Sequence, residues 1–180
     1  MSSHIRRSAE ISDCGRYRWW LRRTWPHHGF FGESPSRGCV CFVMLNPSTA
    51  DGMQDDPTTR RCIGFAKRWG FNTICIRNLF PWIATDPREL RRAEDVTGGH
   101  RGDIELMTSL TGDMVVAAWG TGVPLGRDHH VMEMFRKAFP LVQVHCLGTT
   151  KNGSPRHPLY VRAETDPIVY CGGIKKGSEE

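Results

Sequence analysis

Four short apolar runs constrain this chain more than any other feature: residues 39–45, 73–79, 114–119 and 142–147. Each is rich in Val, Ile, Phe or Cys and lacks the apolar–polar alternation of a half-exposed strand. Each is therefore expected to be buried on both faces. Helical patterns fill the intervals between them. That alternation predicts an α/β fold of three layers, α/β/α, around a mostly parallel central sheet of four strands. A further strand around Tyr17–Trp25 is expected to pair antiparallel with residues 39–45. Pro26-His27-His28-Gly29 and Ser34-Pro35-Ser36-Arg37-Gly38 would supply the turns between them.

Helix boundaries follow from capping chemistry. Asp56-Pro57 reads as an N-cap followed by a first-turn proline. Cys62, Phe65, Ala66 and Trp69 then recur at helical spacing, and Gly70 ends the element. Asp86-Pro87 with Glu89 resembles a capping box and predicts a second helix, interrupted at Thr97-Gly98-Gly99. A third is expected from about Gly102 to Leu110. A fourth would bury Val131, Met134, Phe135 and Ala138. Ile168-Val169-Tyr170 suggests a last short strand.

A chain of 180 residues suits one well-buried core, and a single domain is expected, with its core over about residues 15–162 and a partly flexible tail over 163–180. No apolar stretch approaches the roughly 18 residues that span a bilayer, and no apolar signal region follows the first charges. A cytoplasmic protein without membrane contact is expected. The seven cysteines are odd in number and lie mostly in apolar runs, without a C-x-x-C pair, which argues for free thiols rather than a zinc site. Net charge is +5. The run Arg16-Tyr17-Arg18-Trp19-Trp20-Leu21-Arg22-Arg23 interleaves cations with aromatics, as a phosphate backbone and stacked bases would require; a solvated cationic face is the plainer reading.

Two segments carry the most chemistry. Leu45-Asn46-Pro47-Ser48-Thr49-Ala50-Asp51 follows the first apolar run, and His157-Pro158-Leu159-Tyr160 comes shortly after the fourth. Ligands of open α/β sheets bind beyond the carboxyl ends of the strands, so these segments are expected to form opposite walls of one polar pocket. The Asn46 amide can donate and accept at once, which suits holding a water or reading a base edge; Asn-Pro-Ser-Thr also favours a plain turn. Ser48 and Thr49 would donate to a phosphate or close that turn. Asp51 and Asp55 are candidates for a general base or a Mg²⁺ site, whereas Asp56 is better explained as a cap. Asn78 ends the second central strand. Phe80, two residues on, would stack on a base or complete the core. Trp119-Gly120 ends the third strand, where a glycine lets backbone N–H groups approach an anion. His157 can donate to a developing anion. Lys151 and Arg156 precede it and would bind phosphates. Arg60 and Arg61 would do the same or remain solvated on their helix.

The ordered motifs L-N-P-S-T-A-D, D-D-P-T-x-R-R-C, W-G-F, N-L-F, A-W-G, L-G-T-T-K-x-G and H-P-L-Y, over roughly residues 17–162, resemble an uncharacterised bacterial and phage family without an established activity. More distantly, the chain is similar to the uracil-DNA glycosylase superfamily. Asn46-Pro47 resembles that superfamily's first motif, His157-Pro158 its second, and Asn78-Leu79 an intermediate strand end. The likeness implies a uracil-DNA glycosylase-like sheet flanked by helices. It implies that Asn46 positions water, that His157 stabilises a departing base, and that a flipped nucleotide lies between them with Phe80 stacking. Leu45, Ser48 and Leu159 depart from the superfamily's small residue, glycine and serine, which implies a pocket of different shape.

Together these readings lead to a DNA-base-binding protein of glycosylase type, hydrolysing the N-glycosidic bond of a modified or mismatched base. Asn46, His157 and Asp51 would be catalytic. Pro47, Ser48, Thr49, Asp55, Asn78, Phe80, Trp119, Gly120, Pro158, Leu159 and Tyr160 would surround the base. Arg60, Arg61, Lys151 and Arg156 would hold phosphates. DNA is the expected partner, a nucleobase or nucleotide the expected ligand, and no metal or organic cofactor is expected. Two alternatives remain: a non-catalytic nucleic-acid or nucleotide binder using the same pocket, and a metal-dependent phosphoesterase using Asp51, Asp55 and His157.

Overall fold

The sheet is built around one strand. In the computed structural model, which describes residues 5–26, 38–48, 53–108 and 112–172, β3 (Cys39–Met44) is buried along all but its first residue. Strands β4 (Thr73–Asn78) and β5 (Met114–Ala117) pair with it in parallel on either side, and β6 (Val144–Cys146) extends the parallel set. These are the four apolar runs of the sequence. The last is shorter than expected, because Leu141 is 95% exposed and Val142 44% exposed, so the apolar run enters the sheet only at Val144.

Three further strands complete a seven-stranded order, β1-β2-β4-β3-β5-β6-β7. β2 (Arg18–Thr24) runs antiparallel to β4, with Leu21 opposite Ile76. The expected partner, residues 39–45, is already flanked by β4 and β5. A central parallel strand hydrogen-bonded on both sides has no free edge to offer. β1 (Arg6–Ile11), which the sequence reading missed, caps β2, and the short β7 (Ile168–Val169) closes the other edge.

Successive β3 side chains face opposite layers. Val40, Phe42 and Met44 pack with Leu21, Ile74 and Ile76 beneath α1 (Pro57–Arg68), which contributes Cys62, Phe65 and Ala66, with Trp69 just beyond its end. Cys41 and Val43 face the other way. With Val115 and Ala117 they meet Leu106 of α2 (Gly99–Thr108) and Val131, Met132 and Phe135 of α3 (Arg127–Ala138). Helices thus cover both faces. Cys41, Cys62 and Cys146 are buried free thiols and act as small apolar residues.

Asp56 caps α1 as expected, its carboxylate accepting from the Thr59 N–H at 2.6 Å. The helix expected from Asp86 is only a 3-10 turn over Pro87–Arg91, and Asp86 accepts from the Arg88 N–H rather than forming a capping box with Glu89. In α3, Met132 is buried and Ala138 exposed, which shifts the buried face by part of a turn from the expected one. Among the described residues no helix is long and apolar enough to cross a membrane. The expected turns over 27–37 and the tail beyond 172 lie outside the described residues.

The chain path creates one special place. From β3 it passes through α1 to β4 on one side, then returns through α2 to β5 on the other. The carboxyl ends of β3, β4 and β5 therefore flank a reversal of strand order, the usual ligand position in open α/β sheets.

Candidate functional site

A cavity of about 220 Å³ lies at that position. Met44, Leu45, Asn46 and Ser48 line it from the end of β3, Ile76 and Asn78 from β4, and Trp119 from beyond β5. Asp56, Thr58 and Thr59 come from the start of α1, Arg18 from β2, and His157 from the late loop. Asn46 and His157 thus do share one cavity.

Each wall is fixed by hydrogen bonds. Asn46 Nδ2 donates to the carbonyls of Ala84 at 2.8 Å and Pro47 at 3.0 Å, and the Ala84 N–H returns a bond to Pro47 O at 3.1 Å. Both amide hydrogens are spent on the backbone, so the group's remaining capacity is that of Oδ1, an acceptor. Ser48 Oγ donates to Asp56 Oδ2 at 2.8 Å. Burial pushes the Asp56 carboxyl up, but hydrogen bonds from Thr59 and Ser48, together with the Arg18 charge, outweigh it and hold the group below the usual range.

On the opposite wall, His157 Nδ1 accepts from the Leu159 N–H at 3.3 Å. A neutral ring accepting at Nδ1 carries its proton on Nε2 and is a donor there. Burial lowers the His157 pKa, and the nearby Asp56 charge opposes the shift without reversing it. The turn Pro158–Tyr160 that carries His157 is tied to α1 by Arg61, which donates to the carbonyls of Pro158 at 3.3 Å and of Val161. The Arg61 guanidinium also lies over the Phe65 ring, 5.2 Å from its centre.

Two groups on the cavity floor stand out. Asn78 is 5% exposed, and neither its Nδ2 nor its Oδ1 has a hydrogen-bond partner among the described residues. Trp119, 3% exposed, likewise has an indole N–H without a partner. Arg18 is 5% exposed, and burial lowers its pKa to about 10 despite the opposing attraction of Asp56.

A second cavity of about 320 Å³ adjoins the first through His157 and is lined by Gly120, Lys151, Arg156 and Tyr160, among others. Gly120 has φ +81°, a left-handed turn that favours glycine.

Several expected members sit elsewhere. Phe80 is fully buried in the α2/α3 core and cannot stack on a ligand. Asp55 faces Arg23 at 2.6 Å and Arg7 at 3.1 Å and lines neither cavity. Arg60 turns back to the carbonyl of Asp55, Arg61 is engaged by the carbonyls of Pro158 and Val161, and neither lines either cavity. Pro47 and Pro158 are buried supports, and Leu159 is exposed beside the site without lining either cavity. Thr49 and Asp51 lie outside the described residues. Among the described residues no group of three or more His, Cys, Asp or Glu is placed to hold a metal ion.

Arg18 is the charged lining residue most clearly hidden in the sequence, and Thr58, Thr59 and Thr85 were hidden with it. Its basic run reads as a surface, yet Trp19, Leu21 and Arg23 of that run are buried too. The available signal was its place at the start of an antiparallel strand, which brings it to the carboxyl ends of the parallel ones.

Comparison with curated proteins finds no match, and neither does comparison with solved structures. The family model "Protein of unknown function (DUF1643)" matches residues 18–159, from the first residue of β2 to the turn behind His157, so the chain belongs to that family.

Proposed function

We propose that the protein binds a nucleobase in the cavity between Asn46 and His157 and hydrolyses its N-glycosidic bond in DNA, on a sheet of uracil-DNA glycosylase-like type. One observation carries the base-binding part: the Asn78 amide is buried in the cavity lining, with neither its donor nor its acceptor met among the described residues. A buried polar group without a partner is costly, and one that lines a cavity is open to a ligand or a water there. An amide presents a donor and an acceptor side by side, as the edge of a heterocyclic base does. The cavity, about 220 Å³, falls below the usual range for drug-sized ligands and suits a single ring system rather than a whole nucleotide.

The two walls supply the chemistry. The Asn46 side chain, fixed by the two backbone bonds of its Nδ2, orients the attacking water through Oδ1; as the C1′–N bond breaks and the C1′–O bond forms, the proton lost by the water ends on the departing base anion. His157, neutral and protonated on Nε2, donates to the negative charge that develops on the departing base. A neutral ring suits this geometry, because its Nδ1 must stay unprotonated to accept from the Leu159 N–H while Nε2–H donates. Asp55 is engaged by Arg7 and Arg23 and lines neither cavity, so the glycosylase reading has better support than the phosphoesterase alternative.

Mass spectrometry of bases released from bacterial and phage DNA tests this reading. Release by the native protein is expected, with His157→Ala lowering the rate by about 10²–10³-fold, the usual worth of one donor to a developing anion. Absence of both base release and salt-dependent DNA binding would refute it. Binding through the same cavity without release would leave a nucleobase binder.

A further inference from the structure

The second cavity has no part in the chemistry above, yet it shares His157 with the first. Besides His157 it is lined by Gly120, Thr121, Thr150, Lys151, Arg156 and Tyr160, and no carboxylate is among them. Lys151 and Arg156 are exposed, and neither forms an ion pair among the described residues. What sets these two cations apart is their place: both line one cavity with His157, and no carboxylate among the described residues lines it with them.

The segment that carries them is held in shape. The Thr150 N–H donates to Ser154 O at 2.9 Å, the Gly153 N–H to Thr150 O at 3.0 Å, and the Arg156 N–H to Gly148 O at 2.9 Å. Arg156 Nε donates to Thr149 O at 3.2 Å, which anchors one edge of the guanidinium and leaves the other edge for a ligand. Thr150 Oγ1 is shielded from solvent and has no partner among the described residues. Two cations and a spare hydroxyl, with no competing carboxylate among the described lining residues, match a phosphate group.

We propose that the second cavity is a phosphate subsite, and that the ligand is a nucleotide unit with its base in the first cavity and its phosphate between Lys151 and Arg156. The identity of the base end rests on the reading under Proposed function; the anion site stands on its own residues. His157, common to both cavities, then lies at the junction of base and sugar-phosphate. Both cations face open solvent, which leaves the phosphate free to continue into a strand. A single-stranded oligonucleotide is accordingly the source.

Nuclear magnetic resonance titration of the full chain tests this. Inorganic phosphate is expected to shift the amide signals of Gly120 and Thr150 saturably and to raise the pH at which the His157 ring titrates. The double variant Lys151→Ala/Arg156→Ala should abolish both effects, and Lys137→Ala, an exposed cation of α3 that lines neither cavity, should abolish neither. Absence of saturable shifts, or their survival in the double variant, overturns the subsite. A nucleoside monophosphate should bind about tenfold tighter than the nucleoside or phosphate alone, because the two ends are linked. Phosphate binding with no gain from an attached base would retain the subsite and reject the base-binding reading. A short single-stranded oligonucleotide should bind tighter still, with affinity falling as salt rises. Affinity equal to that of the monophosphate would overturn the strand assignment.

Discussion

At the scale of single residues, function and stability make opposite demands on Asn78. Its two unmet hydrogen bonds weaken the folded state, and an apolar side chain of the same branching removes that penalty. Asn78→Leu is therefore expected to leave stability to urea unchanged or raise it by about 1 kcal/mol, while ligand binding is lost. A marked loss of stability would show that the amide supports the fold instead. His157 gives a pH signature. Its folded-state pKa is lowered by burial, so below the usual histidine value of about 6.5 the unfolded chain binds more protons than the folded one. The stabilising contribution of the neutral ring is present above that value and is lost as the pH falls through the lowered pKa. Urea midpoints measured from about pH 7.5 to 5 should fall more steeply for the native protein than for His157→Gln. Equal slopes would place the ring in solvent. The meeting of Asn46 and His157 at one cavity was legible in the sequence because each follows an apolar run that ends at the same side of the sheet. Phe80 was ambiguous for a physical reason: an aromatic at a strand end satisfies a core and a stacking platform equally well, and only the packing of α2 and α3 decides.

At the scale of elements, α1 sets the distance between the two walls. Its cap Asp56 holds Ser48 on one side, and Arg61, in its second turn, holds the His157 turn on the other. Arg61→Met should cost about 1–3 kcal/mol and alter the titration of His157. The salt dependence of DNA binding should keep its slope, whereas a phosphate-contacting arginine would reduce it by about one unit. Asp55 ties β1 and β2 to the approach to α1. Removing it leaves Arg23, fully buried, without that carboxylate, so Asp55→Ala should cost about 3–5 kcal/mol in chemical denaturation. A near-neutral effect would return Asp55 to the list of candidate functional groups. The sequence pointed to α1 correctly because cap, first-turn proline, periodic apolar face and terminal glycine agree. It overestimated the element after Asp86, where cap and proline are present but no repeating apolar face follows to bury.

At the scale of the whole molecule, the four parallel strands were legible because burial on both faces leaves continuous apolar runs. The order of the strands was not. Pairing of β2 with β4 rather than β3 depends on which edges remain free once the parallel set has formed, and no local pattern records that. Partition of the charges was equally hidden. A net charge of +5 suggests a basic surface, but Arg18, Arg23, Arg77 and Arg127 are buried, and two exposed cations, Lys151 and Arg156, line the cavity that shares His157. Titration of the native protein with single nucleobases and nucleosides, read at the Asn78 side-chain amide and the Trp119 indole N–H, tests the account most directly. A base that fits should shift both signals together with one shared affinity. Signals that stay unmoved while DNA binds elsewhere on the molecule would contradict it.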